Sequence, residues 1–294
     1  MPKLLARAMM MMAKTRRSTS SRDVTATTPG DIAGARTAAT CVVKIHEAIV
    51  SYLQAGQTLA KIDAYIGGVI RDLDCRSAFF RYAIPGHPPF PSQSCLSLND
   101  CIVHGTHDMS QTPLVSGDIL SIDIGVVHKG WFGDAAWTYA IEGASEEALE
   151  LMICGRESLR AGVEAMTPGR PLMDFAKAVT EVAEIEGDYS LVRGLGGHGY
   201  GRTLHGPPFV SNAVPRNAYE WPDAWQLFQE GMLLAVEPML AMKSAETSTS
   251  PRQWPVRTRD GSLSVHYEAD VLITADGHEN LTAGMWNLPD VVAT

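Results

Sequence analysis

The sequence predicts an α+β fold in which helices cover a central antiparallel sheet, and two observations support this. Apolar residues recur at helical spacing in four segments, whereas other segments are short, apolar and rich in β-branched residues, as strands are. Along the 294 residues, the order helix, helix, strands also occurs twice. The repeated order suggests two pseudo-symmetric halves around a central site.

The first half begins with two predicted helices. Residues 31–54 carry a broad apolar face, and residues 58–75 repeat Leu and Ile at helical spacing. A loop rich in proline and aromatic residues leads to a short strand that ends at His104. Residues 119–127 are apolar and β-branched, which predicts a longer strand, and a turn at residues 128 and 129 starts the next one.

The second half repeats this order. Ser145 is a predicted N-cap of a helix to Met166, with acidic residues next to it that favour the positive end of the helix dipole. An amphipathic helix follows over residues 172–182. Residues 232–242 and 262–274 are strand-like, and the polar insert SAETSTSPRQWP between them is predicted to be a loop.

Composition excludes several classes of protein. The net charge of −9 argues against binding to DNA, and no apolar run reaches the length that spans a membrane. Five cysteines without a CxxC pair indicate neither a disulfide framework nor a structural zinc module, so a reducing compartment is expected.

Residues 1–30 differ from the rest because their first part is basic and contains no acid. We interpret them as a disordered tail or a targeting segment, and residues 31–294 as one catalytic domain. A cytoplasmic location is expected, or an organelle if the basic segment is a transit peptide.

Two pairs of acids lie in the predicted strands. If residues 128 and 129 form a two-residue turn, Asp123 faces Asp134 across a hairpin. A hairpin centred between residues 252 and 253 likewise places Glu237 opposite Glu268. Two ionised carboxylates so close repel each other unless a cation lies between them, so the pairs predict a metal site.

His198 lies in the glycine-rich segment GGHGYG, where missing side chains let the backbone crowd a site. Carboxylates with one imidazole suit ions such as Mn²⁺, Fe²⁺ or Co²⁺ better than a thiolate-binding metal. The chemistry indicated is metal-assisted hydrolysis. His87, His107, His128 and His266 are interpreted as surface or packing residues.

With these motifs, the sequence resembles the type 1 methionine aminopeptidases, which have the pita-bread fold shared with aminopeptidase P and prolidase. The resemblance covers about residues 31–290. It implies that two divalent ions (Co, Mn, Fe or Zn) are bound by Asp123, Asp134, His198, Glu237 and Glu268. About 30 residues before the first helix and a short interval between His198 and Glu237 match the type 1 branch.

The resemblance also implies roles in catalysis and specificity. His104 would contact the substrate near the scissile amide, His205 would steady the carbonyl oxygen, and Glu237 would shuttle the proton. Phe90, Cys95 and Trp254 would form the methionine pocket together with the two histidines. The implied substrates are nascent polypeptides with an N-terminal Met and a small second residue, processed by a monomer close to the ribosome.

Several positions depart from the family pattern. Leu204 and the GPPF that follows His205 replace an aromatic and acidic residues, Ala269 and Asp270 replace His-Thr, and Gly125 replaces a common Thr. In a strand, Asp270 shares a face with Glu268, which would add an acid near the metals. These changes leave two alternatives open: a related aminopeptidase or X-Pro hydrolase with altered specificity, and a non-catalytic pita-bread binding protein.

Overall fold

Residues 24–292 are described by a computed structural model, in which pairs of helices alternate with groups of short strands. The α-helices of this part of the chain are α1 (Pro29–Val50), α2 (Leu59–Asp72), α3 (Glu146–Glu164) and α4 (Met173–Thr180). A π-helix, Glu181–Glu186, continues α4, and a 3-10 helix covers Ala283–Asn287. The predicted order of helices and strands is confirmed. None of these helices combines the length and apolar character needed to cross a membrane.

The strands are short except for one long hairpin. Those before α3 are β1 (Arg76–Ser77), β2 (Cys95–Leu98), β3 (Cys101–Val103), β4 (Ile119–His128) and β5 (Trp131–Ile141). Those after α4 are β6 (Ser190–Leu191), β7 (Gly196–Gly199), β8 (Gly206–Ser211), β9 (Leu233–Val236), β10 (Met239–Ala241), β11 (Thr247–Thr249), β12 (Val256–Thr258), β13 (Ser264–His266), β14 (Ala269–Ile273), β15 (His278–Asn280) and β16 (Val291–Val292).

Within the described residues, these strands form four sheets, where the sequence predicted one central sheet. One five-stranded sheet has the order β1-β4-β5-β16 with β2 also on β4, and the other has the order β15-β14-β9-β7-β8. The three-stranded sheets are β13-β10-β6 and β11-β12-β3. All pairs are antiparallel except β5 with β16. The break between β9 and β10 falls at Glu237 and Pro238, because proline has no N–H to donate to a ladder.

Side-chain caps start the helices. Thr28 forms a capping box with Asp31 at α1, Thr58 accepts from Lys61 N at α2, and the predicted N-cap Ser145 accepts from Ala148 N at α3. The buried faces of these helices pack on the sheets in one main hydrophobic core. The two halves therefore present their strands to each other, and the acids of those strands come together.

The last residues before α1 pack against the domain. Val24 and Ala26 are buried, Thr25 pairs with Met232, and Ala26 N donates to Gly231 O at 2.8 Å. Residues 24–30, which were assigned to the tail, thus contact the domain, and Val24 packs on Gly199 and Gly206. The remainder of the assigned tail, residues 1–23, lies outside the described residues.

Candidate metal centre

Asp123 and Asp134 lie on β4 and β5 with their side chains on one face of the sheet. The turn is one residue later than predicted, at Lys129 and Gly130, whose φ values of 48° and 83° fit a type I′ turn. Asp123 therefore pairs with Ala136, and Asp134 with Gly125. The prediction that Asp123 and Asp134 lie directly opposite each other is thus wrong. The two acids are instead diagonal neighbours, and their carboxyl groups are close enough to share a hydrogen bond.

Glu237 and Glu268 lie opposite each other, as the sequence predicted. Val236 pairs with Ala269 on one side of them and Met239 pairs with His266 on the other, in the same register. This register continues to the tip of the hairpin, where Thr249 pairs with Val256. The polar insert was predicted to be a loop, which is wrong for residues 247–249, because they extend the hairpin as β11.

His198 reaches the acids from the neighbouring strand β7. It pairs with Ala235, which places it beside the strand that leads to Glu237. A side chain at Gly197 would overlap the carbonyl oxygen of Ala235, so glycine is required for this close approach. His198 Nε2 consequently lies 4.0 Å from Glu237 Oε1.

Two backbone contacts join the halves at this point. Glu268 N donates to Ala136 O at 2.9 Å, and Asp134 N donates to Asp270 Oδ2 at 2.9 Å. Two groups of possible ligand atoms result, each with its atoms within 4.8 Å of one another: Asp134, His198 and Glu268, and Glu237, His266 and Glu268. Glu268 belongs to both groups.

The surroundings of three of the four acids disfavour their ionised form. Burial raises the pKa of Asp123 to about 7. Burial, together with the neighbouring carboxylates, raises the pKa values of Asp134 and Glu268 well above their usual range. At Glu237 burial acts in the same direction, but the imidazoles of His266, His198 and His104 outweigh it and lower the pKa. Burial lowers the pKa of His198, so its imidazole is neutral at pH 7.

The donors fit a bound cation. Asp123 Oδ1, Asp134 Oδ1, Glu268 Oε1 and His266 Nε2 are buried without a hydrogen-bond partner among residues 24–292. Buried polar atoms are normally paired, and unpaired ones that converge on one place fit a bound ion. Carboxylate oxygens with neutral imidazole nitrogens are the donors that borderline divalent ions accept.

His266 lies among the acids, although the sequence did not single it out. It was interpreted as a surface or packing residue, and the surface position is wrong, because the side chain is 1% exposed and its Nε2 lies 3.3 Å from Glu237 Oε2. A signal was present in the sequence, because residues two apart in a strand share a face and His266 precedes Glu268 by two. Asp270, on the other side of Glu268, is buried beside the acids as expected.

His104 and His205 flank the acids. His104 has a positive φ of 59°, and burial lowers its pKa to about 4, so its ring is neutral. His205 lies edge-on to His198 with ring centroids 4.5 Å apart. Its Nδ1 is 2.8 Å from the hydroxyl of Tyr82, a residue that the sequence analysis did not single out.

The predicted pocket residues form one apolar wall. The Phe90 ring lies edge-on to Trp254 with ring centroids 5.3 Å apart. The rings of Trp254 and His104 are also edge-on, with centroids 6.3 Å apart. The indole N–H of Trp254 donates to Pro88 O at 3.0 Å, which fixes the ring. Cys95 pairs with Asp123 across β2 and β4, so the wall adjoins the acids directly.

Two of the departures from the family pattern are explained by packing. A side chain at Gly125 would overlap the ring of Phe79, which occupies that space. Leu204 is buried in the same apolar cluster as Phe90 and Trp254. Both changes therefore alter the wall of the site and leave the acids in place.

Four carboxylates and two imidazoles that converge between two sheets define a metal-dependent hydrolase of the pita-bread fold. The sequence model of metallopeptidase family M24 matches residues 33–275, and the chain belongs to this family. It is therefore a peptidase, a hydrolase of peptide bonds, as predicted.

Known proteins match over most of the chain. Methionine aminopeptidase 1 of Mycobacterium tuberculosis is 35% identical over 260 residues, which cover 87% of this chain and 93% of that protein. Methionine aminopeptidase from Rickettsia prowazekii matches in crystal structure with a TM-score of 0.80 at 28% identity, covering 88% of this chain and 99% of that one. Prolidase from Pyrococcus furiosus, at 20% identity, shares the fold with a TM-score of 0.66 and covers 89% and 66%.

Proposed function

We propose that this enzyme removes the initiator methionine from nascent proteins whose second residue is small. Asp123, Asp134, His198, Glu237 and Glu268 would hold two divalent ions. The observation that carries the proposal is the convergence of Asp134, His198, Glu237 and Glu268, with Asp123 next to Asp134, beside an apolar wall. The relatives of 35% and 38% identity are methionine aminopeptidases. The wall suits an unbranched thioether side chain.

Bound divalent ions supply a water nucleophile at neutral pH and polarise the scissile carbonyl. The Glu237 carboxylate has a lowered pKa, so it is ionised and can accept a proton and pass it to the leaving amide nitrogen. The His205 imidazole would donate a hydrogen bond to the carbonyl oxygen. His104 would hold the scissile amide, since its neutral ring borders both Glu237 and Trp254.

The proposal is tested by release of free methionine from a Met-Ala-Ser peptide. The protein is first stripped with chelator and then supplied with Mn²⁺ or Co²⁺, and His198→Ala and His128→Ala are assayed in parallel. We expect turnover by the parent and by His128→Ala, and loss of turnover by His198→Ala. Absence of methionine release by the parent with every metal would refute the proposal.

An X-Pro hydrolase is the second candidate. The observation that favours it is the buried Leu204 in the wall, next to the unusual GPPF segment that follows His205. A peptide library that varies the first two residues, read by mass spectrometry, separates the candidates. Cleavage restricted to peptides with proline at the second position would favour the X-Pro hydrolase.

A further inference from the structure

The imidazole of His266 points at two of the proposed metal ligands. Its Nε2 lies 3.3 Å from Glu237 Oε2 and 3.9 Å from Glu268 Oε2, and the side chain is almost fully buried. No atom of residues 24–292 is aligned with Nε2 as a hydrogen-bond partner, although the Glu237 oxygen is near. A buried nitrogen this close to two carboxylate oxygens has the arrangement of a metal ligand, and its 3.3 Å approach to Glu237 Oε2 also allows a hydrogen bond when no ion is bound.

The distances fit a shared ion. Divalent ions bind nitrogen and oxygen ligands at about 2.0 to 2.2 Å, which places adjacent ligand atoms roughly 3 to 3.6 Å apart. The separations of 3.3 and 3.9 Å around His266 Nε2 are close to this range. The other group, Asp134, His198 and Glu268, has the same composition of two carboxylates and one imidazole.

The backbone of His266 is fixed by the other sheet. Its N–H is 3.2 Å from both the Ser121 and Thr138 hydroxyl oxygens, and Thr138 donates back to His266 O at 3.0 Å. Ser121 and Thr138 also bond each other at 2.8 Å, and His266 pairs with Met239. The backbone that carries the ring is thus held in place before any ion binds, as the support of a preorganised ligand should be.

We propose that His266 is a sixth protein ligand, which supplies an imidazole to the ion held by Glu237 and Glu268. This inference rests on the proposed function, which places two ions between the acids. The two groups of possible ligand atoms would then each offer one imidazole, from His198 or His266, and Glu268 belongs to both groups. An added imidazole favours Co²⁺, Fe²⁺ or Zn²⁺ over Mn²⁺ at that position.

The test compares the full-length parent, His266→Gln and the control His128→Gln, all stripped of metal. Glutamine keeps an amide N–H that can donate to Glu237 but provides no imidazole. Calorimetric titration with Co²⁺ and with Mn²⁺ gives the affinity and stoichiometry, and X-ray absorption of the Co²⁺ form counts imidazoles per ion. We expect His266→Gln to lose more than about 100-fold in affinity for one ion, more with Co²⁺ than with Mn²⁺. Its imidazole scattering per protein should fall by half.

A second measurement does not depend on the folding of His266→Gln. Titration of ¹⁵N-histidine-labelled parent with Zn²⁺ should shift the Nε2 resonances of two histidines, one of which disappears in His198→Ala. A shift of His198 alone, or a His266→Gln protein with unchanged imidazole scattering, would overturn the inference and leave His266 as a positioning residue for Glu237.

The two proposals fail in distinguishable ways. A parent protein that releases methionine but has a single metal-bound imidazole would refute the role of His266 alone. A protein that binds two ions through two imidazoles and releases no methionine would refute the proposed substrate and keep the ligand assignment.

Discussion

Two kinds of buried carboxyl group occur in this molecule, and they differ in what surrounds them. Asp63 on α2 accepts hydrogen bonds from Gln93 N, Ser94 N and the Ser94 hydroxyl, at 2.9 to 3.1 Å. Asp134 and Glu268 each leave an oxygen without a partner in the described part of the chain, and their nearest charged neighbours are other acids.

The difference shows which acid serves the fold and which serves the site. The bonds of Asp63 fix the loop that enters β2, so this acid positions Cys95 and needs nothing from outside the protein. Burial raises the pKa of both kinds of acid, so a raised pKa alone does not distinguish them. The hydrogen bonds do, because a buried acid whose acceptors are unfilled can bind a cation, whereas the acceptors of Asp63 are already occupied.

The largest expected effect comes from an isosteric substitution of Asp134, whose Oδ1 has no hydrogen-bond partner in the described part of the chain. Asp134→Asn keeps the shape of the side chain but removes a charged metal ligand, so we expect metal affinity and peptide turnover to fall by more than about 100-fold. Calorimetric titration with Co²⁺ and the methionine-release assay measure this. Asp63→Asn is the matched control and should keep its turnover per folded molecule. Equal losses in both variants would contradict the distinction.

Removal of Asp63, whose acceptors are filled by hydrogen bonds, should change stability instead of metal binding. Asp63→Ala leaves buried donors of Gln93 and Ser94 unpaired, so the free energy of unfolding should fall by about 2 to 4 kcal/mol. Urea unfolding of the metal-free protein measures this, with the exposed Asp72→Ala on the same helix as the control. An unfolding free energy within about 0.5 kcal/mol of the parent would show that these bonds are not needed.

The sequence predicted the fold class and the two acidic pairs because both depend on local spacing. The register of the Glu237 and Glu268 hairpin follows from the position of its tip alone, and it is maintained from β9 to β14. The five proposed ligands were identified together, from the two acidic pairs and the family resemblance, because a single acid in a strand has an ordinary explanation as a solvated or salt-bridged side chain.

What the sequence left out depends on the backbone or on distant contacts. The turn at Lys129 requires positive φ in a non-glycine residue, and no spacing rule predicts this. Tyr82 lies 123 residues from His205, and only the folded chain brings them together. His266 was within reach, because the alternation that identified Asp270 applies to both sides of Glu268.

The pH dependence of stability sharpens the comparison. Asp123, Asp134 and Glu268 have pKa values raised in the folded, metal-free protein, so the folded state binds more protons than the unfolded state above about pH 4. Their stabilising contribution is complete below that pH and is lost as the pH rises through about 7, the pKa of Asp123, and beyond. The chelated parent should therefore melt at a lower temperature at pH 8 than at pH 5.

Asp134→Asn tests the origin of this trend. The neutral amide removes one of the repelling groups, so its melting temperature should depend less on pH than that of the parent. Addition of Co²⁺ should raise the melting temperature of the parent most at high pH, where protons no longer compete with the ion. A chelated parent that becomes more stable from pH 5 to pH 8 would contradict the assignment of these acids as unsatisfied.

The smallest expected effect concerns Tyr82, which contacts the site through another residue. If the Tyr82 hydroxyl donates to His205 Nδ1 across 2.8 Å, the ring proton is on Nε2, where it can be donated to the substrate carbonyl. Tyr82→Phe should then lower kcat by about 10-fold, a loss of one hydrogen bond, with metal stoichiometry unchanged. The exposed Tyr219→Phe is the control. A kcat equal to that of the parent would mean that the tautomer of His205 is set without Tyr82, and that the proton at Nε2 has another source.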